Sequence, residues 1–295
     1  MKLILPNLRL NYGGPFNGGM SRFNEIDCTS HYQAIKNLGI SGIRMSMSNS
    51  AFQSGIDASF NAAKKAKEMG LHVQWGIGFA GGTDATWPAF CTKVLGEAAR
   101  AEAAGFDSFS VGNEENAVWK HANFSNREQK ILDLMYDVSF VFSGEVTHND
   151  AQDSPESATF AVGKEKNGKR FVPSYNVYGS NGSFTDWKNK INTYYSYFPD
   201  MQITEVNLNP NPARYPGDPL NTYREVRRRV EWLAENYPDM IVYWFTGSQD
   251  PSDNSGYGHT VIMPEGYFHP YINAFFEGRK NITRNFSRAA YYYDF

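Results

Sequence analysis

Phe106-Asp107-Ser108-Phe109-Ser110-Val111-Gly112-Asn113-Glu114 reads as a β-strand that hands over to a loop at a carboxylate. A second apolar run, Met201-Gln202-Ile203-Thr204, is closed in the same way by Glu205. The two glutamates stand 91 residues apart, so only a tertiary fold can make them act together.

Outward from these runs, strand-like and amphipathic helical segments alternate along the chain, a pattern that builds a parallel sheet wrapped by helices. The first strand lies within Leu3 to Leu10, and a helix follows over Ser30 to Leu38 with Tyr32, Ile35 and Leu38 on one face and Gly39 as its stop. Gly42 to Ser46 and Ala58 to Met69, ended by Gly70, form the second unit. Leu71 to Ile77 precedes a helix opened by Trp87-Pro88, where proline loses no hydrogen bond. The strand carrying Glu114 is followed by Ser125 and Glu128, spaced as a capping box, and then by Ile131, Leu134, Met135, Val138 and Phe142 at helical spacing.

The fifth unit is the weakest, with a strand over Gly144 to His148 and only a short or irregular helix over Ser154 to Gly168. Phe171 to Val177 is the sixth strand, followed by Trp187, Ile191, Tyr194 and Phe198 on a helix face. Met201 to Glu205 is the seventh, and its helix over Thr222 to Tyr237 buries Tyr223, Val226, Val230 and Leu233. Met240 to Phe245 is the eighth, and Pro270 to Phe276 supplies a last helix. Eight strand-then-helix units predict an α/β fold, one (β/α)8 catalytic domain over residues 1–295. An open doubly wound sheet would want a Gly-x-Gly-x-x-Gly turn after the first strand, and the sequence has none.

Composition narrows the classes of function. Hydrophobic residues at 41% and charged residues at 20% describe a globular protein, and a formal charge of −3 gives no footprint for nucleic acid. Arg227-Arg228-Arg229 reads as the solvated face of a helix. Cys28 and Cys91 form neither a disulfide framework nor a zinc motif. His259 and the Asp250-Pro251-Ser252-Asp253 loop lack metal-ligand spacing, so neither metal nor other cofactor is expected. No apolar run reaches the roughly 20 residues of a membrane span, and the stretch before Pro6 is too short for a signal-peptide core. The expected chain is a monomer that stays where it is made, leaves by another route, or is a trimmed form of a secreted protein.

In barrels of this kind the chemistry sits at the C-terminal ends of the strands, where Glu114 and Glu205 fall. Glycoside hydrolysis needs two carboxyl groups across the scissile bond, one to protonate the leaving oxygen and one to attack the anomeric carbon or activate water. Asn113 is placed to hydrogen-bond a sugar hydroxyl. Aromatics make up 15% of the chain, and Trp75, Trp87, Trp119 and Trp187 are candidate platforms for sugar faces, although Trp87 and Trp187 lie on helices where packing is the simpler role. His148, Asn149 and Asp150 either line the cleft or cap a helix, and His148 is the substrate-binding candidate among them.

Ser110-Val111-Gly112-Asn113-Glu114 resembles the strand-four Asn-Glu signature of the large clan of retaining glycoside hydrolases built on (β/α)8 barrels, which includes many cellulases, mannanases, xylanases and β-glycosidases. Ile203-Thr204-Glu205 is similar to that clan's strand-seven nucleophile motif. Ile43-Arg44-Met45 resembles its strand-two arginine, Asn176-Val177-Tyr178 its strand-six segment, and Trp244 its strand-eight tryptophan. The resemblance implies that Glu114 is the general acid/base, Glu205 the nucleophile, and Asn113 the partner of the sugar 2-hydroxyl. It also implies that Trp244 floors the subsite of the attacked sugar, that Arg44 and Tyr178 hold Glu205 ionised and oriented, and that Asn176 contacts substrate. Glu115 is the rival of Glu114, since alternation admits only one of them to the barrel axis.

The expected partner is an oligosaccharide or polysaccharide with β linkages, cleaved internally. A carbohydrate-binding barrel without catalysis is the alternative, but it has no need of a full nucleophile and proton-transfer set. An aldolase or phosphate-binding isomerase would want a strand-end lysine or a glycine-rich phosphate loop, and neither is visible.

Overall fold

The computed structural model describes residues 2–12, 28–115, 117, 123–151, 165–166, 169–178, 183–206, 219–245 and 270–278. Its barrel strands are β1 (Leu8–Asn11), β2 (Gly42–Ser48), β3 (His72–Gly78), β4 (Ser108–Val111), β5 (Glu145–Asp150), β6 (Val172–Val177), β7 (Gln202–Val206) and β8 (Val242–Phe245). All pair in parallel and close in the order β1-β8-β7-β6-β5-β4-β3-β2. The described helices are α1 (Cys28–Asn37), α2 (Gln53–Glu68), α3 (Trp87–Ala103), α4 (Arg127–Val138), α5 (Phe184–Tyr197) and α6 (Pro219–Asn236), with a 3-10 turn at Pro270–Phe275. The expected (β/α)8 architecture is therefore present.

Side chains opposite one another in a parallel ladder share a face, so the register sorts the barrel into two surfaces. One surface runs through Leu10, Ile43, Val73, Phe109, Val146, Ile203 and Val242, all buried and apolar. It packs against the helices: Trp75 meets Phe60 of α2, and Tyr175 stacks on Tyr194 of α5. The other surface faces the barrel axis and is polar, through Asn11, Arg44, Gln74, Ser108, Thr147, Ser174, Asn176 and Gln202. Within this layer Gln74 Nε2 donates to Ser108 Oγ at 3.1 Å and Gln202 Nε2 to Ser174 Oγ at 2.7 Å, while the amide oxygens of both glutamines are buried without a hydrogen-bond partner among the described residues.

Gly39 and Gly70 end α1 and α2 at φ +78° and +81°, the left-handed conformation that favours glycine. Three expectations change. The first strand begins at Leu8, because Pro6-Asn7 turns the chain and Leu3 bridges Phe276 instead. Ser125 does not cap α4; its amide and hydroxyl are taken by Asp84 at 3.0 and 2.7 Å, and Asn126 enters the helix at φ +46°. Of the arginine run on α6, only Arg228 is exposed to solvent. Arg229 is fully buried over the rings of Phe184 and Trp187 and bonds Glu225, and Arg227 bonds the carbonyl of Phe276. After β5, Glu165-Lys166 pairs antiparallel with Lys169-Arg170, and most of the expected irregular helix falls outside the described residues.

Candidate active site

The segment after β4 keeps its place in the sheet through backbone hydrogen bonds. Gly112 N–H donates to Ile77 on β3 at 2.9 Å, and Glu114 N–H donates to Asn149 on β5 at 2.8 Å. Glu114 adopts φ +66°, a left-handed conformation uncommon for a residue with a Cβ. Its Oε1 accepts from Asn176 Nδ2 at 3.2 Å.

Glu205 reaches the same rim by a different device. Tyr175 pairs with Ile203 but Asn176 pairs with Glu205, so Thr204 is one residue extra on β7, a β-bulge. The bulge lets two successive side chains face the axis: Thr204 Oγ1 donates to Asn176 Oδ1 at 2.8 Å, and Glu205 meets Arg44 and Tyr178. Arg44 Nη1 donates to Glu205 Oε1 at 2.9 Å and Tyr178 Oη donates to Oε2 at 2.7 Å, so both carboxylate oxygens are oriented. Arg44 Nη2 also donates to Asn113 Oδ1 at 3.0 Å, which accepts from Asn176 Nδ2 at 3.2 Å. With Oδ1 committed to these two donors, Asn113 has Nδ2 to offer a substrate hydroxyl.

One hydrogen-bonded chain thus runs Glu114, Asn176, Asn113, Arg44, Glu205, Tyr178, drawn from four strands and the loops beyond them. The Arg44 side chain is only 1% exposed whereas Glu205 keeps 13%, so the cation is a buried support and the carboxylate opens to the cleft. Asn11 escaped the sequence reading, whereas Asn149 was expected either to line the cleft or to cap a helix. Asn11 donates to the Thr204 carbonyl at 3.3 Å, steadying the bulge. Asn149, with its amide oxygen toward Arg44, accepts from Arg44 Nε at 3.3 Å and donates to Thr204 Oγ1 at 3.2 Å. Asn11 is a polar residue at a strand end on the axial face, which is the signal that could have found it.

Other expected site residues lie elsewhere. Trp75 is no sugar platform: it faces the helices, fully buried, with Nε1 donating to Glu97 at 3.3 Å and Phe60 and Phe106 around its ring. Trp244 does not floor a subsite. Its neighbour Tyr243 takes the axial position, accepting from Arg9 Nη1 at 2.7 Å, so Trp244 is turned outward onto Phe275, with ring centroids 5.1 Å apart. His148 does not reach substrate either, because it points to the helix layer and is enclosed by Glu115 and Asp150. Glu115, the rival of Glu114, is fully buried in that pairing and is not in the cleft. Trp87 packs on Phe79 and Phe124, and Trp187 is buried. Trp119, His259 and residues 250–253 lie outside the described residues.

Among the described residues, no group of three or more His, Cys, Asp or Glu side chains is arranged to hold a metal ion. No described helix is long and apolar enough to cross a membrane.

No protein-family profile matches the chain, and no curated protein sequence matches it. Solved structures do. A GH113 β-1,4-mannanase superposes with a TM-score of 0.56 at 14% identity, covering 86% of this chain and 93% of its own. An exo-β-1,4-mannosidase from Opitutaceae bacterium strain TAV5 superposes with a TM-score of 0.65 at 12% identity, covering 91% of this chain and 58% of its own. A glycoside hydrolase family 17 β-1,3-glucanosyltransferase from Rhizomucor miehei gives 0.63 at 12% identity, with 91% and 97% covered. What this chain shares with all three is the fold, a closed (β/α)8 barrel.

Proposed function

We propose that the protein is a glycoside hydrolase that cleaves β-linked glycans with retention of configuration. The observation that carries this reading is the single hydrogen-bonded cluster joining Glu114 and Glu205 through Asn176, Asn113 and Arg44 at the C-terminal rim of the barrel. Glu205, oriented on both oxygens, attacks the anomeric carbon while Glu114 gives its proton to the departing oxygen, and a covalent glycosyl-enzyme forms. Glu114 then takes a proton from water, which displaces Glu205 and restores both carboxyl groups. Arg44 places a cation on Glu205, and the neutral amide of Asn176 contacts Glu114; unlike surroundings of this kind are how paired carboxylates come to hold different roles. Asn113 Nδ2 meets the sugar 2-hydroxyl, a bond that strengthens as positive charge develops.

The linkages in the names of the three neighbours are all β, which favours a β-glycan as substrate. Internal cleavage by a monomer is part of the proposal. A panel of β-glucans, mannans, xylans and galactans, with product lengths resolved and the anomer followed by NMR, tests it. Turnover lost in Glu205→Gln with glycan binding retained is the expected result. A wild type that binds glycans but never cleaves one would overturn the enzyme in favour of a binding barrel.

A further inference from the structure

The helix-facing surface of β5 breaks the rule that this face is apolar. Val146 obeys it, but His148 and Asp150 on the same face are fully buried polar groups. They belong to a chain: Glu115 Oε2 lies 2.7 Å from His148 Nε2, His148 Nδ1 lies 2.7 Å from Asp150 Oδ1, and Tyr194 Oη donates to Asp150 Oδ2 at 2.5 Å. Tyr194 is itself stacked on Tyr175, at 4.1 Å between centroids, which ties the chain to α5. Buried charges cost desolvation that apolar residues would not, so packing alone does not account for them.

The other end of the chain acts on the loop that carries the candidate acid/base. The Glu115 carboxylate accepts the backbone N–H of Phe79 at 2.7 Å and that of Asn113. Gly112, at φ +83°, is wrapped so closely around it that a Cβ there would come within 2.4 Å of Glu115 Oε2. Between these fixed points Glu114 is held at φ +66°. Burial alone would lower His148, but hydrogen bonds to Asp150 and Glu115 push it up to about 9. Burial would raise Glu115, but the His148 hydrogen bond and charge, with the Asn113 and Phe79 amides, hold it at about 2. The pair is therefore an ion pair at neutral pH.

We propose that Glu115, His148 and Asp150 form a positioning relay behind the barrel wall, which fixes the backbone of Asn113 and Glu114 so that both side chains enter the cleft in register with Glu205. The rate part of this inference rests on the proposed hydrolase reading, whereas the loop-holding part does not. Asn149, between His148 and Asp150, completes the device by accepting the Glu114 N–H from the front of the same strand.

Glu115→Gln, His148→Leu and His148→Gln test it, with thermal unfolding, backbone hydrogen exchange and steady-state kinetics measured on each. In Glu115→Gln and His148→Leu, exchange over residues 112–115 is expected to quicken by about tenfold while α6 keeps wild-type protection. In the same two variants kcat falls by about 100-fold with KM within about threefold of wild type, the pattern of a misplaced group and not of a lost subsite. His148→Gln, whose amide can still donate to Glu115, recovers most of both losses. Should His148→Leu fail to fold, Glu115→Gln, which preserves volume and one accepting oxygen, carries the test. Unchanged exchange at Glu114 in Glu115→Gln, or quickened exchange with wild-type kcat, overturns the relay. A wild type that turns over no glycan refutes the hydrolase reading instead, and exchange then decides the relay by itself.

Discussion

Arg44 Nη1 lies 2.9 Å from Glu205 Oε1, linking β2 to β7 across the barrel mouth, and the same guanidinium reaches Asn113 with Nη2 at 3.0 Å. A planar fork serves two acceptors that a single ammonium cannot hold in the same geometry. Arg44→Lys should therefore keep the fold yet lower kcat/KM by about 100-fold. Arg44→Met should do worse and also lower the melting temperature, since it leaves Glu205 beside a cavity without its cation. Unfolding curves and kinetics on the best glycan of the panel check both; a fully active Arg44→Lys would exclude the bidentate role.

The roles of the two glutamates separate chemically. With an aryl glycoside and azide, Glu205→Ala should yield the α-glycosyl azide, because azide takes the nucleophile's side of the ring. Glu114→Ala should yield the β-azide, because azide then attacks the glycosyl-enzyme in place of water. Product anomers by NMR read the assignment directly, and exchanged anomers would reverse it.

Tyr178→Phe removes one hydrogen bond of 2.7 Å to Glu205 and nothing from the Arg44 side. A loss of about tenfold in kcat with little change in KM is expected from removing a single neutral donor to the proposed nucleophile. A KM effect alone would make Tyr178 a substrate contact.

Trp244 and Trp75 are core residues here, so their truncation should cost stability and not affinity. Trp244→Ala should destabilise by about 3–5 kcal/mol, as for other buried large aromatics, and Trp244→Phe by less. KM measured on the folded variants should stay near wild type. A selective rise in KM for Trp244→Phe would restore the subsite role inferred from its place on β8.

The Glu115–His148 pair makes stability depend on pH in a defined direction. His148, at about 9 in the fold against 6.5 for a free imidazole, contributes fully below pH 6.5, and its contribution drains away as pH rises toward 9. Glu115, at about 2 against 4.5, contributes above pH 4.5, and that contribution is lost as pH falls toward 2. His148 bonds Glu115 and Asp150, and Tyr194 bonds Asp150 from the other side. The difference in melting temperature between wild type and His148→Gln should shrink steadily from pH 6.5 to 9. A constant difference would mean that His148 is neutral in the fold.

Much of this could be read along the chain. Tyr32, Ile35 and Leu38 bury as their spacing requires, Gly39 and Gly70 stop their helices, and the eight strands appear in order. Arg44, Asn113, Glu114, Asn176, Tyr178 and Glu205 converge on one rim; Asn113, Glu114, Tyr178 and Glu205 stand where apolar runs close, and Arg44 and Asn176 lie within their strands. What escaped was direction. Trp75 looked like a platform because indole rings stack on sugar faces, Trp244 because of its resemblance to a strand-eight tryptophan, and Arg229 looked solvated because it is charged.

The order of the units and the residue types at the strand ends belong to the sequence, because period and turn chemistry are local and survive being read one segment at a time. Which way a strand-end side chain points does not, because it depends on ladder partners supplied by distant segments. Closure of the barrel set Arg44 inward and Trp244 outward, and the bulge at Thr204 brought Glu205 to the axis opposite Asn176. One extra residue shifts every later side chain to the other face, and only pairing across strands reveals that it is there.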